Sequence, residues 1–247
     1  RLDRAAEGRA QCEAAIAIAR EAGDRRIEGI ALDCLASIEI NCSDRSRLEE
    51  ARLYIEAALA IHREMGNQLR EGAVFCNLAI VCYRQGRMEE ARAHFETALA
   101  ILRRVNDARS VSTTLANLAL LDQDQGRMAE ARARYEEALG ISRSMGNRVG
   151  ECEVLENLGL LDLAEGRPEQ ARSHTENALA IYREVGDRLL EARALIALGR
   201  IDLEQGDTDS ERTHAEEALS IAREHGNSHV EGLALAEGRD LTDVEAT

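Results

Sequence analysis

Three asparagines recur in the chain with a step of 40 residues: Asn77, Asn117 and Asn157. A side-chain amide both donates and accepts hydrogen bonds, so a row of amides suits contact with the backbone of an extended peptide. The alternative is that each amide bonds a neighbouring helix or water. The copies on either side carry Cys34 and Ala197 at this position, so the row breaks at both ends.

A second column with the same step is acidic and consists of Asp122, Asp162 and Asp202. A metal ion or a catalytic carboxylate set would need these oxygens within a few ångströms of one another. Carboxylates on successive packed helices, roughly 10 Å apart, do not meet that condition. We therefore expect ion pairs with the turn arginines Arg127 and Arg167, or with Arg132 and Arg172.

A third column contains His94, His174 and His214, and the copy between the first two has Arg134. Zinc binding needs ligand nitrogens about 2.0–2.1 Å from one ion, which three rings on stacked helices do not provide. We expect solvated histidines on an outer face and no metal site. The chain also has no Ser-His-Asp or Cys-His arrangement and no glycine-rich phosphate loop. The residues therefore predict no enzyme activity and no cofactor.

Composition narrows the class of partner. All 31 basic residues are arginine. The chain therefore has no lysine that could form a Schiff base or serve as the lysine of a nucleotide-binding phosphate loop. The net charge of −15 disfavours nucleic acid and anionic membrane surfaces and favours neutral or basic peptides. No apolar run approaches the roughly 18 residues that a membrane span needs.

The cysteines and the low aromatic content indicate what kind of core the protein has. The six cysteines form no CxxC motif, and no hydrophobic leader is seen, which predicts reduced thiols in a cytoplasmic protein. Aromatic residues make up 2% of the chain and Trp is absent. A core of Ala, Leu and Ile is typical of closely packed helices, and the 31% of charged residues is typical of amphipathic ones.

The columns arise from an internal repeat. The string GRMEEARAHFETALAILRRVND, which starts at Gly86, returns in altered form at Gly126, Gly166 and Gly206. An earlier copy starts at Ser46, and a truncated one spans 3–24, with three extra residues near 41–44. One column is Ala15, Ala58, Ala98, Ala138, Ala178 and Ala218, and another is Ile18, Ile61, Ile101, Ile141, Ile181 and Ile221. Both columns indicate packing between helix faces.

Each repeat predicts two helices. The second, helix B, covers 88–105 in one copy, with apolar residues at the three-four spacing of a buried stripe. The glycine after it fits a left-handed helix end, and the following Asn or Asp fits the N-cap of the next helix A. Helix A then covers 70–84 and ends at the next Gly-Arg turn. Short links make neighbours antiparallel, and a hairpin needs its neighbours to bury its apolar face.

This pattern resembles the tetratricopeptide repeat family over about residues 3–235. In one repeat the resemblance lies in Leu78, Ala79, Gly86, Ala91, Phe95 and Ala98. The 40-residue period is similar to the longer repeats of kinesin light chain, of Leu-Gly-Asn-repeat adaptors and of bacterial regulators. The resemblance implies an all-α fold: a right-handed superhelical solenoid of antiparallel helix hairpins with about five to six repeats. It also implies that helix A lines a concave groove and that the asparagine row contacts a bound peptide.

Helical spacing places further residues beside the asparagine row, namely Ile80, Tyr83, Leu120, Leu160, Leu163 and Leu203. They are either an exposed interaction surface or simply a wider core. Arg193 and Arg200 add positive charge at one end of the predicted groove. A clamp for a terminal carboxylate is disfavoured, because both arginines lie on one helix.

We therefore predict a single domain over 1–247 that acts as a protein-interaction scaffold and binds a peptide or protein segment. Its predicted parts are 1–24 (helix B only), 25–67, 68–107, 108–147, 148–187, 188–227 and a capping helix with tail at 228–247. The alternative is a regulatory or sensor segment of a larger bacterial signalling protein, linked to an ATPase or kinase. A third hypothesis is a homodimer formed through the exposed N-terminal helix.

Overall fold

The computed structural model describes residues 2–42 and 46–237, and within these ranges the chain consists of twelve helices and contains no strand. The helices are α1 (Leu2–Ala22), α2 (Arg25–Ile40), α3 (Ser46–Glu64), α4 (Gln68–Arg84), α5 (Met88–Arg104), α6 (Ala108–Asp124), α7 (Met128–Ser144), α8 (Arg148–Ala164), α9 (Pro168–Val185), α10 (Arg188–Gln205), α11 (Thr208–Glu224) and α12 (Ser228–Glu237). The all-α repeat prediction is confirmed. Part of the predicted insertion near 41–44 and the predicted tail after 237 lie outside the described residues.

The chain divides into two compact units, Arg1–Gln125 with helices α1–α6 and Gly126–Thr247 with helices α7–α12. In the first unit, each helix packs against the next helix along the chain. The second unit repeats this arrangement from α7 to α12. The division into repeats as a single domain stays a prediction.

The predicted helix ends are confirmed in their backbone geometry. Gly23, Gly66, Gly146, Gly186 and Gly226 all have positive φ, which glycine adopts without the steric penalty of a Cβ. At the end of α5 the same position is held by Asn106, with φ of 57°, the one residue type besides glycine found at positive φ in the described ranges. Asparagine tolerates this region better than most side chains.

The residue after each of these turns caps the next helix A. The side chains of Asp24, Asn67, Asp107, Asn147 and Asp187 each accept a hydrogen bond from a backbone N–H of the first helical turn. At four of these five junctions an arginine of the preceding helix also reaches a glutamate in that turn, as in Arg63–Glu71 and Arg143–Glu151, both 2.9 Å. Helix α6 has no acidic residue in its first turn. These contacts set the antiparallel reversal at each hairpin junction.

The alanine column packs as predicted in five of six copies. Ala58, Ala98, Ala138, Ala178 and Ala218 are fully buried. The first copy contradicts the prediction, because Ala15 is half-buried and Ile18 is 67% exposed. Within the described chain α1 packs mainly on α2, whereas α3 packs on both α2 and α4.

Candidate functional site

The three asparagines occupy equivalent places on α4, α6 and α8, and each side chain is half-buried. None of the described residues makes a hydrogen bond to the side-chain amide of Asn77, Asn117 or Asn157. The alternative in which these amides bond a neighbouring helix is therefore not what the described chain shows. Their donors and acceptors are available to another molecule.

In the second unit four of the predicted residues come together. Asn157, Leu160, Leu163 and Arg193 line one pocket between α8 and α10, above α9, with a volume of about 220 Å³. Its remaining walls are Glu156, Gly159, Thr175, Ala194, Ala197 and Ile201. We call this the asparagine pocket. Leu160 is 52% exposed at its rim, so it belongs to a surface and not to a wider core.

A second pocket lies beside it on the same three helices. It has a volume of about 190 Å³, and we call it the tyrosine pocket. Its walls are Arg148, Val149, Cys152, Glu153, Glu156, Ile181, Tyr182, Val185, Asp187, Leu190 and Arg193. This pocket was not predicted from the sequence, since the repeat pattern marks Cys152 and Tyr182 only as apolar positions. Glu156 and Arg193 line both pockets and so lie between them.

Burial dominates the electrostatics of the tyrosine pocket. Burial, followed by the charges of Glu156 and Glu151, raises the pKa of the Cys152 thiol to about 11, so this cysteine is a poor nucleophile at neutral pH. Burial is also the main cause that raises the pKa of Tyr182, and the negative charge of the neighbouring Glu156 adds to the effect. Both groups stay neutral, and Glu156 is the half-buried charge beside them.

Small residues at two positions open the asparagine pocket. Gly159 on α8 faces Thr175 on α9, and a Cβ built at Gly159 would lie 3.2 Å from the Thr175 hydroxyl oxygen. In the hairpin of α4 and α5 the equivalent residues are Ala79 and Phe95, both buried in one core cluster. The loss of the aromatic at Thr175 was visible in the repeat alignment and is the signal that could have predicted this pocket.

The predicted groove residues of the first unit are more enclosed. Ile80 and Tyr83 are partly buried against the cluster that contains Phe95. The Tyr83 hydroxyl donates a hydrogen bond to the Asp124 carboxylate at the end of α6. Leu120 on α6 is half-buried. On this face a side-chain hydrogen bond therefore links α4 to α6.

Arg200 is exposed on α10 and lines neither of the two pockets described above. Leu203 is 36% exposed on the same helix and also lies outside both. Of the two arginines predicted for the groove, the structure thus places Arg193 at the pockets. None of the described residues forms an ion pair with Arg193.

The acidic column is fully buried and forms ion pairs. Asp162 accepts hydrogen bonds from Arg132 at 2.5 Å and from Arg167 at 3.2 Å. Asp202 pairs with Arg172, as predicted. Asp122 pairs with Arg92, an arginine of the preceding helix B that the sequence analysis did not name.

The prediction of solvated outer-face histidines is wrong. The Nδ1 atom of His174 lies 2.8 Å from Asp162, and that of His214 lies 2.6 Å from Asp202. Both rings are half-buried, and each gives a buried carboxylate a hydrogen-bonding partner in addition to arginine. A buried carboxylate without such partners would be costly. His94 has no equivalent aspartate, because Cys82 stands at that position, and its ring stacks on Phe75 with the ring centroids 5.9 Å apart.

The described residues contain no group of three or more His, Cys, Asp or Glu side chains that could hold a metal ion. Among the described helices, none combines the length and the apolar character that crossing a membrane requires. Neither finding assigns a role to the pockets.

Comparison with known structures places this architecture among repeat proteins. BtubC (BKLC) from P. vanneervenii superposes with a TM-score of 0.78 at 21% identity, covering 90% of this chain and 92% of that chain. A signal transduction ATPase with numerous domains (STAND) from Pyrococcus horikoshii, which has a tetratricopeptide repeat sensor, gives 0.76 at 20% identity. That match covers 87% of this chain and 33% of the STAND protein.

A Rap protein complexed with competence and sporulation factor gives a TM-score of 0.69 at 16% identity, covering 83% of this chain and 57% of that chain. At these identities the likeness shows the fold alone. None of the curated proteins matches the sequence.

The family model of the tetratricopeptide repeat matches residues 70–144 and 150–224, which is more than half of the chain. The matches span α4 to α7 and α8 to α11, the helices that carry the asparagines and both pockets. The chain therefore belongs to the tetratricopeptide repeat family.

Proposed function

We propose that this protein is a non-catalytic scaffold that binds a peptide or protein segment along its helix A face. One observation carries the proposal: the side-chain amides of Asn77, Asn117 and Asn157 have no hydrogen-bonding partner among the described residues. A half-buried amide is desolvated in part, so a ligand backbone that bonds it recovers hydrogen bonds.

Apolar surface beside the amides supports the same function. Leu160 and Leu163 flank Asn157 on α8, and the asparagine pocket below them is open to a side chain. Interfaces gain most of their affinity from a few apolar groups seated in such pockets, while polar contacts set the register. The groove would take its ligand's backbone by amides and its side chains by pockets.

A regulatory or sensor segment of a larger protein is the second candidate. It is favoured by the STAND protein from Pyrococcus horikoshii, which has a tetratricopeptide repeat sensor and of which this chain covers 33%. Both candidates require the helix A face to bind a polypeptide. They differ in whether that polypeptide belongs to the same protein.

The experiment is a selection of binding peptides from a random peptide library against the 247-residue chain, followed by affinity measurement on variants. Asn157→Ala is expected to weaken the selected peptides about fivefold, because a ligand-facing amide is lost. Asn177→Ala is the matched control, since Asn177 is exposed on α9 and lines neither pocket.

Circular dichroism would confirm that the variants keep their helices. A library that yields no binding peptide, or peptides that bind Asn157→Ala and the wild type equally, would contradict the proposed function.

A further inference from the structure

The two pockets of the second unit have a defined spacing. On α8 the lining residues of the tyrosine pocket centre on Cys152, and those of the asparagine pocket centre on Gly159. This separation of about seven residues corresponds to roughly 10 Å along the helix axis, at about 1.5 Å per residue. On α10 the two sets centre near Leu190 and near residues 196–197, which gives a similar distance.

Each pocket has room for one large apolar side chain. The volumes of about 190 Å³ and 220 Å³ exceed the roughly 150 Å³ of an apolar protein cavity that holds a benzene ring. Val149 is 67% exposed at the first pocket, and Leu160 is exposed at the second. Both would lose water contact when a side chain enters, which stabilises the complex.

The spacing discriminates between ligand conformations. In a β-strand, side chains on one face are about 6.7 Å or 13 Å apart, and neither value fits. A polyproline II segment places residues i and i+3 on one face about 9.3 Å apart, which fits. An α-helix fits as well, with residues i and i+7 about 10.5 Å apart.

The amide of Asn157 decides between these two. In a helical ligand the backbone N–H and C=O groups bond one another. Away from the helix ends, no backbone group of such a ligand is then available to the side-chain amide of Asn157. A polyproline II segment has no internal hydrogen bonds and presents every backbone group to its surroundings. Asn157 lines the asparagine pocket and has no hydrogen bond to the described residues, so it suits the extended ligand.

Charge selects the residue between the two apolar side chains. Glu156 lies between the pockets, is half-buried, and has Glu153 one turn away on the same helix. Arg193 is the opposing cation, but it is exposed, so solvent screens it more strongly than the half-buried carboxylate. Arg148, the other cation at the tyrosine pocket, is already bound to Glu151 and Glu184. A basic residue therefore complements this stretch.

We infer that the ligand is a polyproline II segment with apolar side chains at i and i+3 and a basic residue between them. The inference rests on the proposed function and adds the ligand's conformation, spacing and charge. The two apolar side chains occupy the tyrosine and asparagine pockets. The basic side chain lies against Glu156.

The test uses defined synthetic peptides and fluorescence anisotropy on the 247-residue chain. The first peptide places Leu-Pro-Arg-Leu between prolines. The second is the first with one more proline between the two leucines, and the third is the first with its arginine replaced by glutamate. We expect the first to bind about tenfold or more tighter than either of the others, because each change removes one anchoring contact.

Variants locate the contact. Leu160→Asp is expected to weaken the first peptide about tenfold or more, and Leu53→Asp is the matched control, because Leu53 is 66% exposed on α3 and lines neither pocket. Glu156→Gln is expected to weaken it about fivefold to tenfold, whereas Arg193→Gln is expected to raise affinity, because it removes a positive charge beside the basic side chain of the ligand. The opposite result for this last pair would assign an acidic segment and overturn the inference.

Peptides selected from the random library separate the two levels of the proposal. If library peptides bind and lose affinity on Leu160→Asp, but the spacing and charge series shows no preference, the inference is wrong and the proposed function stands. If neither library nor defined peptides bind the folded chain, the proposed function fails and the inference fails with it.

Discussion

The hairpin of α4 and α5 and the hairpin of α8 and α9 share one repeat pattern but differ at three equivalent places. The floor is Ala79 with Phe95 in the first and Gly159 with Thr175 in the second. A large ring fills the space between helices in one case, and an open pocket occupies it in the other.

The mouth and the buried polar position differ as well. Tyr83 is tied to Asp124 on α6, whereas the equivalent Leu163 lines the asparagine pocket. Cys82 takes the place of the buried Asp162. With no aspartate to bind, Arg52 pairs with Glu56 on its own helix at 2.9 Å. One helical framework thus supports a hairpin with an apolar core and a hairpin that has a pocket and a buried ion-pair network.

The largest expected effect is on the buried network. Asp162→Ala leaves Arg132 and His174 without their shared carboxylate, and we expect the free energy of unfolding to fall by about 3–5 kcal/mol. Cys82→Ala is the matched change in the other hairpin and removes only a small apolar group, for about 1 kcal/mol. Urea denaturation of both variants would test this, and equal losses would remove the distinction between the two hairpins.

The floor gives the second effect. Phe95→Thr copies the open floor into the closed hairpin, where a cavity left in the core cluster costs about 3 kcal/mol. Thermal and urea unfolding would measure the loss. A cost below about 1 kcal/mol would mean that the core cluster collapses onto the smaller side chain. The ring of Phe95 would then not be what keeps a pocket out of this hairpin.

The reverse exchange tests the pocket. Gly159→Ala with Thr175→Phe rebuilds the closed floor in α8 and α9, and the ring would occupy the asparagine pocket. We expect peptide affinity to fall about tenfold, which is about 1.4 kcal/mol, with little change in the free energy of unfolding. Anisotropy with a library-selected peptide would measure this, and undiminished binding would place the ligand elsewhere.

The smallest effect is at the mouth of the first unit. Burial, and then the hydrogen bond to Asp124, raises the pKa of Tyr83 from 10.0 to about 12. Between these pH values the unfolded chain releases the phenolic proton while the folded chain retains it, so stability falls as pH rises. Tyr83→Phe removes this contribution and is expected to flatten the decline. Unfolding measured from pH 10 to pH 12 would show it, and parallel curves for the two proteins would argue against the tie.

The sequence predicted the site unevenly. Asn157, Leu160, Leu163 and Arg193 were predicted from the repeat step and do line one pocket. The tyrosine pocket was not predicted. Its walls come from three helices, and the pattern of a single repeat does not tell how closely these helices pack. The histidine prediction was wrong for a similar reason: the step of 12 residues from Asp162 to His174 crosses a turn, so helical spacing does not relate them.

By itself the sequence determined the helices, their ends and the family. Left-handed glycines, Asx caps and the three-four spacing act within a few residues of one another, and each recurs often enough to be read without a structure. Tertiary structure alone decided which carboxylate meets which arginine, and where small side chains leave a pocket. These outcomes depend on distances between helices about 8–10 Å apart, where the exchange of one ring for a threonine leaves a pocket in place of packed core.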